Sequence, residues 1–228
     1  GPGATNSITG IAGSWIDSIP LLVVSGQVKT DDINFDKKLR QKGPQEVDIV
    51  SMVKGITKYS ETITDHKNFL KKLSKIVNLS KNGRPGPCLI DIPLDIQSQK
   101  VKIPFDYKPF LKNEIIKAKK QIPNDLINKI IKSKKPLFLI GHGVKSSKSE
   151  KLAIELVKYS NIPVCVTWPM IDLLAFHDPL YVGRPGVVAK RNANLTIQNC
   201  DLLISIGARL DRIVTAFNPN NFAPKIEL

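Results

Sequence analysis

Short apolar runs that stop at glycine or proline recur along this chain, and amphipathic or polar stretches separate them. Residues 19–25 (IPLLVVS) run into Gly26, and residues 88–92 (CLIDI) are stopped by Pro93. PLFLI ends in Gly141-His142-Gly143, and LLISI ends in Gly207-Ala208-Arg209. Apolar runs of this length with such punctuation read as buried strands. Two further strands are predicted at 58–64 and 163–167. Between the strands, spacing predicts helices over 8–15, 46–53, 68–80, 124–133, 149–159 and 189–198, with Asp65 as an N-cap for the third. Residues 30–44 are polar without sustained period and read as a loop. This alternation predicts an α/β fold with mostly parallel sheets. Glycines at the carboxyl ends of strands are where a doubly wound sheet builds its ligand crevice. Gly141-x-Gly143 is a partial dinucleotide fingerprint.

The segment 101–123 breaks the alternation. It is rich in Lys and Pro and its apolar residues lack a period, so it reads as a linker between residues 1–100 and 124–228. The formal charge of +14 raises the question of a nucleic-acid partner. The lysines are spread thinly, few aromatics lie among them, and no nucleic-acid motif accompanies them, so they read as solvated faces. No apolar run reaches the roughly 18 residues of a membrane span. Cys88, Cys165 and Cys200 are isolated and set among apolar residues, which suits buried free thiols in a reducing, cytoplasmic setting. His66, His142 and His177 show no metal-ligand spacing, so no metal residue is assigned.

The chain opens Gly1-Pro2-Gly3-Ala4-Thr5-Asn6. Two glycines around a φ-locked proline, followed by a helical segment, suit a tight turn that offers backbone N–H groups to a ligand. A plain turn, or the remnant of a cleaved tag, is the other reading. Three more segments follow in order: IPLLVVSGQV from Ile19, PQEVDIVSMVKGITKY from Pro44 and GRPGPCLIDIPLDIQ from Gly83.

Together these segments resemble the large-subunit family of acetolactate synthase and its thiamine-diphosphate-dependent relatives. The likeness is dense through Gln97 and resumes from about Pro136 to the end. It implies the C-terminal part of a pyrimidine-binding domain over 1–100 and a Rossmann-like central domain over 124–228. It also implies an internal fragment, with the family's catalytic glutamate upstream and its Gly-Asp-Gly…Asn motif for Mg²⁺ and diphosphate downstream. The chain alone is therefore expected to be inactive. The implied activity of the whole protein is decarboxylation of a 2-keto acid and carboligation, in a homo-oligomer. The likeness says nothing of a regulatory subunit.

By that resemblance Pro2, Gly3 and Asn6 belong to the turn beside the pyrimidine ring. Gln45 matches the glutamine beside the reacting carbon, where an amide can orient a carboxylate or hydroxyl. Arg84 matches an arginine that contacts FAD in flavin-binding members. Gly141, Gly143, Gly207 and Arg209 fall on the family's flavin crevice, although glycines there serve a nucleotide-free sheet equally well. The sequence also departs from the pattern. Pro44 replaces a Phe before the glutamine, and Leu94 replaces a Lys. Gly186-Val187-Val188-Ala189 stands for Gly-Met-His-Gly, and Arg209-Leu210-Asp211-Arg212-Ile213 for Arg-Phe-Asp-Asp-Arg. The last two changes fall on flavin contacts, which weakens the case for FAD and opens the substrate to 2-keto acids other than pyruvate. A related thiamine-diphosphate lyase or ligase, or a non-catalytic Rossmann-like nucleotide-binding module, are the alternative readings.

Overall fold

A computed structural model describes residues 1–103 and 122–226. The chain divides into two compact units, Gly1–Lys117 and Ala118–Leu228. Most of the linker expected at 101–123 lies outside the described residues.

The first unit is built on a parallel sheet of three strands, β1 (Leu21–Gln27), β2 (Tyr59–Thr62) and β3 (Pro87–Pro93), in the order β1-β3-β2. The central strand β3 is buried nearly throughout, and its side chains alternate between faces. Leu89 packs with Ile11 of α1 (Ile8–Asp17) and with Ile49 and Val53 of α2 (Ile49–Val53). Cys88 and Ile90 point the other way, against Ile76 and Phe69 of α3 (Phe69–Lys81). Helices thus cover both faces, as an all-parallel sheet requires. On the face that carries α1 and α2, β1 presents Leu21 and Val23 to the core and then changes to Ser25 and Gln27. The face turns polar toward the strands' carboxyl ends. The one-turn α4 (Leu94–Gln97) follows β3.

Two expectations are corrected in this unit. The strand predicted at 19–25 begins two residues later and does not stop at Gly26. Pairing with β3 carries it through Gly26, opposite Ile92, to Gln27, opposite Pro93. It is not a buried strand either, because it is flanked by β3 alone and Val24 is 58% exposed. Asp65 does not cap α3. Its carboxylate accepts from the Lys67 N–H and the Asn68 amide, closing a local turn before the helix, and Asn68 takes the cap position.

The second unit holds a parallel sheet of four strands: β4 (Pro136–Ile140), β5 (Val164–Val166), β6 (Tyr181–Gly183) and β7 (Leu202–Ile206), in the order β6-β5-β4-β7. Phe138, Ile140, Val164 and Val166 face a core shared with Ala153 and Val157 of α7 (Glu150–Ser160) and Ile130 of α5 (Asn124–Lys132). Leu137, Leu139 and Cys165 face α8 (Arg191–Asn199) through Ala193 and Ile197. The one-turn α6 (Gly143–Ser146) follows β4. The chain steps outward from β4 to β5 to β6 and then returns to the far side of β4 as β7. The strand order therefore reverses between β4 and β7. Strand β6 has too few residues to show a period, which is why its residues carry no predicted element.

Candidate functional site

The first turn of the chain is a short 3-10 helix over Pro2–Ser7, with proline at its start. The Gly1 carbonyl accepts the Ala4 N–H at 3.0 Å, and the Gly1 nitrogen donates to the Gly26 carbonyl at 2.8 Å. These bonds tie the turn to the carboxyl end of β1. An open cleft of about 420 Å³ results, lined by Gly1, Pro2, Gly3, Ser25, Gly26 and Gln45 among others. Gln45 arrives from a distant part of the sequence. Its carbonyl lies against Gly1 so closely that a Cβ built there would stand 2.5 Å from it. A Cβ built at Gly3 meets nothing within 4 Å, so that position opens onto free space.

The loop that brings Gln45 is tethered at several points. The Glu46 carboxylate accepts backbone N–H groups from Asn34 at 2.6 Å, Lys42 at 2.8 Å and Gly43 at 3.4 Å. Partial burial works to raise the Glu46 pKa, but these backbone donors outweigh it and hold the group below its ordinary value. The Gln27 amide donates to the Val47 carbonyl at 2.7 Å and to the Asp91 carboxylate at 2.9 Å. The other oxygen of Asp91 accepts the Ser25 hydroxyl at 2.6 Å. Gln45 itself sits at φ 62°, in the left-handed region.

The lining offers main-chain groups, the Gln45 amide and the Ser7 and Ser25 hydroxyl oxygens as acceptors, their protons being given to the Ala4 carbonyl and the Asp91 carboxylate, with no charged side chain among the lining residues. Such a set suits the edge of a neutral heterocycle better than a diphosphate, which calls for cations or a helix N-terminus. Among the described residues no group of three His, Cys, Asp or Glu could hold a metal ion, and no helix is long and apolar enough to cross a membrane.

Not every residue singled out by sequence reaches this cleft. Pro2, Gly3 and Gln45 line it, while Asn6 is exposed and is not among its lining residues. Arg84 lies beyond the opposite, amino end of β3, where its Nε donates to the Ser18 hydroxyl at 2.7 Å. Ser25, Gln27 and Asp91 were missed. The one available signal was a carboxylate in the middle of the apolar run CLIDI, since an Asp is rarely buried without partners.

In the second unit the loops after β4 and β7 meet at the point of strand-order reversal, where doubly wound sheets place their ligands. Gly141 N–H donates to the Ile206 carbonyl and Gly143 N–H to the Gly207 carbonyl, both at 2.9 Å. A Cβ at Gly141 would lie 2.3 Å from the Ala208 Cα, and one at Gly143 would lie 2.7 Å from the Gly207 Cα. Gly207 sits at φ 62°, and its own added Cβ would lie 2.8 Å from the Val144 nitrogen. These three glycines are thus required by close packing of two loops. Arg209 is half exposed, with its Nε 3.9 Å from an Asp211 carboxylate oxygen. Between Gly141 and Gly143, the buried His142 Nδ1 has no hydrogen-bond partner. A larger cavity of about 510 Å³ lies at the amino end of β4, beside Pro136 and Cys200, away from the ligand end of the strands.

Comparison with known proteins finds a family match within each unit. Residues 1–52 match the family described as the thiamine pyrophosphate enzyme N-terminal TPP binding domain, and residues 124–228 match the thiamine pyrophosphate enzyme central domain. The chain is 34% identical over 222 residues to an acetolactate synthase large subunit from Cyanidium caldarium, covering 94% of this chain and 37% of that protein. It is 32% identical over 227 residues to the acetolactate synthase isozyme 2 large subunit of Escherichia coli strain K12, covering 98% of this chain and 39% of the relative. It is also 32% identical over 235 residues to the mitochondrial acetolactate synthase catalytic subunit of Saccharomyces cerevisiae, covering 99% and 33%. The chain thus spans 33% to 39% of the length of these relatives.

Proposed function

The chain belongs to the thiamine pyrophosphate enzyme family, and we propose that the protein carrying it is an acetolactate-synthase-like enzyme that decarboxylates a 2-keto acid and joins the remaining carbon unit to a second carbonyl. The observation that supports this most is the convergence of Pro2, Gly3 and Gln45 on one neutral cleft at the carboxyl end of β1. Thiamine diphosphate, when bound, supplies the electron sink that lets a 2-keto acid lose CO₂. The residues of this chain have narrower work. The main chain around Gly3 offers N–H donors to the edge of the pyrimidine ring, and the Ser25 hydroxyl oxygen, its proton given to Asp91, offers an acceptor. Gln45 presents both an N–H donor and a carbonyl acceptor at the cleft mouth, which orients the substrate carboxylate or the product hydroxyl. Asn6, exposed and outside the cleft lining, is given no part in holding the ring. Diphosphate and Mg²⁺ fall to groups outside the cleft. The enzyme works as a homo-oligomer on a 2-keto acid.

A nucleotide role for the second unit is favoured by one observation, the unpaired His142 Nδ1 at the strand-order reversal. The glycines there, accounted for by loop packing, add no support for FAD. Visible flavin absorbance in the purified full-length protein checks this.

The principal test uses full-length protein. Calorimetric titration with thiamine diphosphate and Mg²⁺ is expected to show binding, and a 2-keto acid such as pyruvate is expected to release CO₂. Gln45→Ala is expected to keep cofactor binding and to lower kcat/KM about a hundredfold, the scale of a lost orienting hydrogen bond. Absence of cofactor binding by the wild-type protein defeats the proposal.

A further inference from the structure

Asp91 is the one charged side chain in the buried set of described residues, at 1% exposure. A buried carboxylate is costly unless its oxygens are hydrogen-bonded, and a sequence retains one where it holds something else in place. Here each oxygen has a different task. One accepts the hydroxyl of Ser25, a residue of the cleft lining. The other accepts the amide of Gln27, whose N–H also reaches the Val47 carbonyl, two residues beyond Gln45. Gln27 is fixed in turn by the Val28 N–H on its Oε1 at 3.1 Å. The register explains why this is possible: Ser25 stands opposite Asp91 in the β1–β3 pair, and Ser25, Gln27 and Asp91 share one face.

We infer that Asp91 is a positioning residue for Gln45. Through Ser25 it sets the floor of the cleft, and through Gln27 it anchors the loop that holds Gln45 at a positive φ. The inference rests on Gln45 acting on substrate as proposed above. Without Asp91 the loop keeps its Glu46 tethers, but the Gln27 amide that holds the Val47 carbonyl loses the partner that fixes it. Gln45 then samples orientations that do not meet the substrate.

Full-length protein tests this with Asp91→Leu, Asp91→Asn and Gln27→Leu, each made with Gln45 present and with Gln45→Ala. Asp91→Leu is expected to lower kcat/KM about tenfold or more when Gln45 is present, as a displaced orienting group does. In the Gln45→Ala background it is expected to cost about twofold or less, because the two residues act in one chain of contacts. Asp91→Asn is expected to recover most of the loss, since its oxygen still accepts from Gln27 and its N–H can face the Ser25 oxygen. Hydrogen exchange of the backbone amides over 45–48 is expected to quicken in Asp91→Leu and Gln27→Leu and not in Asp91→Asn. Equal losses in both backgrounds, or unchanged exchange over 45–48, overturn the inference. Should Asp91→Leu fail to fold, Gln27→Leu, which leaves the Ser25 bond in place, decides by the same measurements. A wild-type protein without cofactor binding or turnover defeats the functional reading alone, and the exchange measurement still decides whether Asp91 holds the loop.

Discussion

Gln45 sits at φ 62°, where a side chain with a Cβ costs about 1 kcal/mol. Glycine would be more comfortable there, so the amide is held against a local preference by the bonds around it. Gln45→Gly is expected to leave stability unchanged or to raise it by about 0.5 kcal/mol while activity falls as far as in Gln45→Ala. Urea denaturation and steady-state kinetics on the same preparation check the two halves. Cys165 makes a different point at this scale. Burial, with a smaller push from Cys200, drives its thiol up to about 12. A raised pKa in the folded state means that the unfolded chain releases its proton first. The stabilisation is therefore intact below the ordinary thiol value of 9.0 and is lost as pH rises from there toward about 12. Melting curves across that alkaline range are expected to shift downward, and less so for Cys165→Ala. At neutral pH Cys165 is expected to resist alkylation until the protein unfolds.

At the scale of elements, the interlocked loops after β4 and β7 are among the tightest contacts described in the second unit. Gly141→Ala would place its methyl 2.3 Å from the Ala208 Cα, a backbone atom that can move only with its loop. It is expected to destabilise by about 3 kcal/mol, the scale of an overpacked site, read as a lower urea midpoint. The helices and most strands were legible in the sequence because amphipathic spacing and glycine punctuation are local signals. Asp48 is such a signal passed over by the expectation of a helix from residue 46: it caps α2, which begins at Ile49, by accepting the Ser51 N–H at 3.0 Å. Strand ends were less legible. The end of β1 is set by its pairing with β3, not by Gly26, and β6 is recognisable only through its pairing with β5.

At the scale of the whole molecule, the charge of +14 is carried by scattered side chains. Lys71, Lys75, Lys81, Lys132, Lys134 and Lys135 are all exposed. Charges of this kind are screened within about 8 Å at physiological ionic strength. Any association with duplex DNA is expected to be weak, indifferent to sequence and abolished by moderate salt, as fluorescence anisotropy would show. What the sequence by itself determined is the alternation of strand and helix and the family strings around Gly1, Gln45 and Gly83. Those features are local, and chain order preserves them. The tertiary structure alone decided which polar groups meet. Asp91 reaches Ser25 across 66 positions and Gln27 across 64, and Gln45 reaches Gly1 only because its loop folds back over β1. Parallel pairing sets such meetings by register between strands far apart in the chain, and no local pattern encodes that register.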